Sequence, residues 1–295
     1  MDRELDVVLF GATGFVGSLT AAHLATAAGV GTQVALAGRS LERLRVVRDR
    51  LGEAAGGWEL VEVDATDSGR LRELASRTRV LASTVGPYSR YGKDVVGAAA
   101  TEGTDYADLT GEVLFVRWTL DEVAALARET GARIVHSCGF DSIPSDLGVL
   151  LTARQAAADG EGTLEETTLE VRSMKGGISG GTIDSFRNQV ITAGTDADAR
   201  RVLADPYALS PRRADEPTAH GPGDTGTARR PDRSWRVERD RRTGRWRGPF
   251  VMSDYNTRLV RLSNTLTGWS YGRTLAYREV TDFGAGRAAP LLAAG

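Results

Sequence analysis

Among 295 residues the chain has one cysteine, Cys138. A single thiol cannot close a disulfide within the chain or build a thiolate zinc site, and sparse cysteine suits a reducing compartment. Histidine is almost as scarce. His23, His136 and His220 lie far apart, no His-x-x-x-His pair occurs, and no metal is expected. There is no run of about 18 apolar residues, so no helix should span a membrane. The opening MDRELDVVLF carries acids and passes straight into a strand, unlike a signal peptide. A cytoplasmic protein is expected, with peripheral membrane contact left open. Neither charge sign is in excess: the formal net charge is -2, so the basic footprint that would neutralise nucleic-acid phosphates is missing.

What is present is a chain that can build a core, since 41% of its residues are hydrophobic. Its first 150 residues alternate between two periods. Short apolar runs at Asp6 to Phe10, Gln33 to Ala37, Glu59 to Val63, Val80 to Ser83, Asp105 to Ala107 and Arg133 to His136 read as strands. Helical spacing separates them, at Phe15 to Ala28, Leu41 to Leu51, Ser68 to Ser76, Gly92 to Glu102 and, as one long helix, Val113 to Thr130. This alternation predicts βαβ units and a parallel sheet, with ligands at the C-terminal ends of the strands. Beyond about residue 160 the style changes. Thr167 to Met174 alternates apolar and polar, which suits an antiparallel strand with one wet face. Thr182 to Leu203 reads as a helix, 205–249 as a loose Arg/Pro/Gly-rich excursion with a strand at Ser234 to Arg239, Phe250 to Asn264 as a helix and Thr274 to Val280 as a strand. The expected fold class is α/β: a Rossmann-type domain over residues 1–150, then a mixed α/β domain over 151–295 that contains an antiparallel sheet.

The strongest motif is Gly11-Ala12-Thr13-Gly14-Phe15-Val16-Gly17, directly after a strand and opening a helix. Gly11 allows the sharp turn, Gly14 lets backbone amides approach a pyrophosphate, and Gly17 permits close helix–strand packing. The helix dipole adds to the attraction. At the end of the second strand an acid would hold the ribose of NAD. This chain has Arg39 and Ser40 there, which can pair with the 2′-phosphate of NADP(H). Read without a ligand, Arg39 is a surface arginine and Ser40 a helix cap. Asp64, after the third strand, either accepts from the adenine amine or forms a turn. Thr84, Val85 and Gly86 follow the fourth strand and should border the nicotinamide ribose, with Tyr88 facing the substrate or packed as an aromatic.

The candidate catalytic groups at strand ends are Tyr88, as preferred donor, Asp108 and Asp141. Asp108 and Glu112 bracket a turn, and either binds a ribose hydroxyl or holds that loop. Asp141 precedes a helix that begins near Pro144, where an aspartate also serves helix entry. His136 reads as a buried, hydrogen-bonded histidine and Cys138 as a packed residue. Tyr-x-x-x-Lys and Gly-x-Ser-x-Gly patterns are absent. The glycine cluster Gly176 to Gly181 is a lid or a loop with positive backbone angles. Arg229 to Arg247, interleaved with acids, reads as a solvated loop.

Several of these segments together resemble the saccharopine dehydrogenase-like oxidoreductases: GATGFVG, AGRS, VGPY at Val85 to Tyr88, DLTGE at Asp108 to Glu112, and HSCGFDSIPSDLG at His136 to Gly148. GGISGGTIDS, at Gly176 to Ser185, and PFVMSDYNTRLVRLSN, at Pro249 to Asn264, resemble the actinobacterial branch that includes trans-acting enoyl reductases. The resemblance implies an NADPH-dependent reductase of a lipid or polyketide acyl substrate, small or carrier-bound, and a homodimer is one assembly it allows. Members of that family run longer, so a C-terminally incomplete second domain is expected. Two other functions stay open at this level: a saccharopine-type amino-acid dehydrogenase, for which no cluster of basic groups is evident, and a non-catalytic NADP(H)-binding sensor or scaffold.

Overall fold

The computed structural model describes residues 3–174, 180–216 and 237–294. The chain divides into two compact units. The first comprises Met1–Gly139 with Ser179–Thr192, and the second comprises Phe140–Ile178 with Ala193–Gly295.

The first unit alternates strand and helix. In chain order it contains β1 (Leu5–Phe10), α1 (Phe15–Ala27), β2 (Val34–Gly38), α2 (Leu41–Arg50), β3 (Glu59–Glu62), α3 (Ser68–Ser76), β4 (Thr78–Ser83), α4 (Tyr88–Tyr91), α5 (Lys93–Glu102), β5 (Asp105–Asp108), α6 (Val113–Glu122), α7 (Ala124–Thr130) and β6 (Ile134–Val135). The six strands form one parallel sheet in the order β3-β2-β1-β4-β5-β6. Every residue of β2 is buried, as a strand covered on both faces requires. The pleat sends alternate side chains to opposite faces. Val8 and Phe10 join the core beneath α3 and α5, while Leu9 and Leu36 join the other core with Ala21 of α1 and Leu44 of α2. Helix ends follow local chemistry: Asp67 caps α3 by accepting from the Arg70 amide, and left-handed Gly103 and Gly131 end α5 and α7. The long helix expected over Val113 to Thr130 is two helices, interrupted at Val123. Val123 is buried, and Phe115, Val123 and Ala127 all reach one core.

After β6 the chain continues through α8 (Ile143–Ala158), β7 (Glu166–Val171), α9 (Gly180–Thr195), α10 (Ala197–Ala204), β8 (Glu238–Arg239), β9 (Trp246–Pro249), α11 (Ser253–Leu266), β10 (Ala276–Gly284) and α12 (Ala289–Ala294). Four of its strands form a mixed sheet in the order β7-β10-β9-β8. The pairs β10–β9 and β9–β8 are antiparallel, but β7 pairs with β10 in parallel, contrary to the antiparallel reading of Thr167 to Met174. Alternation reports a wet face and says nothing about the direction of the neighbouring strand. The core of this unit joins Val149 and Ala153 of α8, Val260 of α11, and Tyr271 and Tyr277.

Two further expectations change. The helix read from Thr182 to Leu203 is divided at Asp196, whose carboxylate caps α10 by accepting from the amides of Asp198 and Ala199. The excursion at 205–249 is packed at both ends: Leu209 is fully buried, Glu216 is buried, and 238–249 form a hairpin. Its middle, with the start of the Ser234 to Arg239 strand and the first eight residues of the Arg229 to Arg247 run, lies outside the described residues, as does most of the Gly176 to Gly181 cluster.

Candidate dinucleotide site

The strand order reverses between β1 and β4, and a crevice for ligands opens at the C-terminal ends of the strands at such a point. The Gly11–Gly17 turn follows β1 there, and Thr84–Gly86 follows β4. Gly11 has φ +88° and its amide donates to the Ala37 carbonyl at 2.8 Å. A Cβ at Gly11 would lie 2.5 Å from Val85 Cγ2, and one at Gly17 would lie 2.1 Å from the Gly11 carbonyl oxygen. Both positions therefore need glycine. Gly14 is different. A Cβ there meets only the Gly11 oxygen, at 3.4 Å. Gly14 is the N-cap of α1, it supplies no side-chain bond to the first turn, and that turn contains no acid. The amides that open a helix have no partner within it, so this end presents donors and a positive partial charge. Ala12 is buried beneath the turn, Thr13 and Val16 are partly exposed, and Phe15 is 75% exposed.

At the end of β2, Arg39 is exposed. The Ser40 hydroxyl accepts from the Arg43 amide at 3.3 Å and so caps α2. Arg43, absent from the sequence-based reading, reaches back and donates to the Thr13 carbonyl at 3.5 Å. No spacing signals it, because the Ser40 cap engages only the Arg43 backbone amide. Asp64 Oδ1 accepts from the Thr66 hydroxyl at 2.7 Å and the Thr66 amide at 2.9 Å. Those bonds hold its carboxyl below the usual carboxylate range, as expected for a turn-forming aspartate.

The turn after β4 is tied to the glycine turn. The Thr84 hydroxyl donates to the Phe10 and Gly11 carbonyls, both at 3.2 Å. Tyr88, expected as a donor facing the substrate, is packed instead. It is 5% exposed, its hydroxyl donates to the Ser83 carbonyl at 3.0 Å, and that oxygen accepts from the Leu109 amide at 3.2 Å. Asp108 is 1% exposed. Its Oδ1 accepts from the amides of Thr110 and Ser137, each at 3.0 Å, and its Oδ2 lies 2.7 Å from His136 Nδ1. Ser137 is held at φ +63° in this turn. His136 Nε2 is buried without a hydrogen-bond partner among the described residues, and the ring packs edge-on against Tyr106 and Phe115. Thus the structure brings Gly11 to Gly17 together with Thr84 and Val85, and brings Asp108 to His136. It builds Tyr88 and Asp108 into the frame beneath the turns.

No family model matches the chain. It is 49% identical over 290 residues to the putative trans-acting enoyl reductase Rv2449c of Mycobacterium tuberculosis, covering 98% of this chain and 68% of that one. It is 47% identical over 296 residues to the trans-acting enoyl reductase of Mycobacterium ulcerans, covering 99% and 69% respectively. The chain belongs to the trans-acting enoyl reductase family. It is an oxidoreductase, as the resemblance in its motifs implied. Solved structures similar to this family member include the apo saccharopine dehydrogenase (L-Glu forming) of Saccharomyces cerevisiae, with a TM-score of 0.43 and 21% identity, covering 56% of this chain and 34% of that one. An NAD binding oxidoreductase from Klebsiella pneumoniae has a TM-score of 0.37 and 21% identity, covering 57% and 43%.

The second unit of this enoyl reductase family member holds Asp141 and a buried polar network that composition did not reveal. Asp141 is exposed, and its carbonyl accepts from Asn256 Nδ2 at 2.9 Å. The same nitrogen lies 3.2 Å from Ser145 Oγ and 3.1 Å from Glu279 Oε2, which share its second hydrogen, while Ser142 Oγ donates to Asn256 Oδ1 at 2.8 Å. The Tyr277 hydroxyl donates to Glu279 Oε1 at 2.7 Å. Burial pushes the Glu279 carboxyl and the Tyr277 hydroxyl above their usual ranges. Among the described residues there is no group of three or more His, Cys, Asp or Glu side chains arranged to hold a metal. Among them, too, no helix is long and apolar enough to cross a membrane.

Proposed function

We propose that the chain binds NADPH on its first unit and reduces the double bond of an enoyl thioester, the acyl group being of lipid or polyketide type and free or carrier-bound. One observation carries the cofactor reading: an uncapped helix N-terminus at Gly14, beneath a turn where Gly11 and Gly17 leave no room for a side chain, at the point where the strand order reverses. The 47–49% identity to proteins named as trans-acting enoyl reductases supports the reaction class.

In this reading the backbone of Gly11, Ala12, Thr13, Gly14, Phe15, Val16 and Gly17 receives the diphosphate. Arg39 and Ser40 receive the 2′-phosphate. Asp64 lies on the adenine side as a turn former, and Thr84, Val85 and Gly86 border the nicotinamide ribose. When bound, the cofactor supplies a hydride. The balanced reaction consumes one enoyl thioester, one NADPH and one proton, and yields the saturated thioester and NADP+. The chain's own task is to place the β-carbon, to meet negative charge developing at the thioester carbonyl with donors, and to deliver the proton to the α-carbon. Asp141 is the acid we assign to the proton. Its side chain reaches solvent, and desolvation by neighbouring atoms holds its carboxyl above the usual carboxylate range. Tyr88 and Asp108 act indirectly, by fixing the turns after β4 and β5.

The test is oxidation of NADPH by the purified chain with a panel of 2-enoyl thioesters, with saccharopine and NADP+ as a second arm. Turnover on thioesters alone is the expected result. Turnover on saccharopine, or NADPH binding without turnover on either arm, would overturn the enoyl reductase reading.

A further inference from the structure

We infer that Glu112 and Ser185 are positioning residues that couple α9 to the nicotinamide end of the nucleotide site. The inference deepens the cofactor reading above and rests on it. Glu112 is fully buried, at 0% exposed. It stands at the N-cap of α6 but does not cap it with its side chain. The carboxylate instead gathers donors from two other places in the chain. Oε1 accepts from the Tyr88 amide at 2.7 Å and the Ser185 hydroxyl at 2.7 Å, and Oε2 accepts from the Ser89 amide at 2.9 Å and the Ser89 hydroxyl. All four donors are neutral. Burying a carboxylate is unfavourable unless its lone pairs are satisfied, and charge-assisted bonds to backbone N–H and hydroxyl groups are what satisfy it here.

The chain route makes the Ser185 bond informative. α9 is flanked in sequence by β7 and α10, which both belong to the second unit, yet Ser179–Thr192 groups with the first. Ser185 lies against the turn after β4, where a Cβ at Gly86 would sit 3.6 Å from the Ser185 hydroxyl. One carboxylate therefore fastens the turn proposed to border the nicotinamide ribose and, through one hydroxyl, a helix from a distant part of the sequence. The next residue, Phe186, is 69% exposed. Apolar contacts alone would hold a helix in place without fixing its rotation. Buried hydrogen bonds to Glu112 fix direction as well as proximity, because they are geometrically narrow.

Ser185→Ala removes only the α9 arm and leaves Glu112 three donors, so the first unit should still fold. Hydrogen exchange in α9 is measured with and without NADPH, alongside steady-state kinetics. We expect NADPH to slow α9 exchange about tenfold in the wild type, Ser185→Ala to abolish that protection, and Ser185→Thr to restore it. We also expect Ser185→Ala to lower kcat about tenfold with little change in NADPH Kd. A Ser185→Ala protein with wild-type α9 exchange and wild-type kcat would overturn the inference while leaving the functional reading intact. If NADPH fails to bind the wild type, the functional reading falls and the coupling to a nucleotide falls with it.

Discussion

Arg39 and the glycines of the first turn differ in what their substitution should do. Arg39 is exposed at the end of β2, so Arg39→Ala tests recognition rather than packing. A hydrogen bond to a charged group contributes about 1.5–3 kcal/mol, so the variant should weaken NADPH roughly 10- to 100-fold and leave NADH almost unchanged. Fluorescence titration with both coenzymes checks this, and equal losses would remove the argument for 2′-phosphate recognition. Gly17→Ala and Gly14→Val separate steric from electrostatic need. At Gly17 a Cβ would lie 2.1 Å from a backbone oxygen, so Gly17→Ala should lower the melting temperature. At Gly14 the chain tolerates a Cβ, so Gly14→Val should stay folded, by circular dichroism, and lose both coenzymes. Residue roles were unevenly legible. The three glycines declared themselves by spacing between a strand and a helix. Arg43 and Ser185 did not, because an arginine in a helix and a serine after glycines look like surface until the fold brings Thr13 and Glu112 beside them.

At the scale of elements, the strands of the first unit and helices α1, α2, α3 and α5 could be read to within a residue or two because apolar periodicity records burial, while the short helix α4 went unread. What could not be read was set by tertiary context: the break at Val123, the cap at Asp196, and the parallel partner of β7. The polar core between α8, α11 and β10 was invisible for the same reason. Ser142, Asn256 and Glu279 look like solvent-facing residues one at a time. Because burial raises the Glu279 pKa in the folded chain, the folded state holds its proton more tightly than the unfolded state. The linked stability is full below the unfolded pKa and is lost as pH rises through the folded one. The Glu279 contribution to thermal stability should therefore fall as pH rises from about 4 toward neutrality, read as the difference between the wild type and Glu279→Gln. Glu279→Gln should flatten that slope. An unchanged slope in the variant would mean that Glu279 is ionised in the folded protein.

At the scale of the whole molecule, the order β3-β2-β1-β4-β5-β6 matters most, since it alone puts the turns after β1 and β4 side by side. Alternating strand and helix implied a parallel sheet, but the reversal of strand order followed only once the register pairs were known. The second unit was harder to read, because its sheet mixes directions and part of its sequence lies in an Arg/Pro/Gly-rich stretch with little periodicity. Its family was still legible, since motifs on both sides of that stretch match relatives along almost the full chain. The most direct measurement is a crystal structure of the chain soaked in NADPH. The diphosphate is expected on the amides of Gly14 to Gly17 and the 2′-phosphate between Arg39 and Ser40. A diphosphate bound anywhere else, or a 2′-phosphate turned away from Arg39 toward solvent, would contradict that placement.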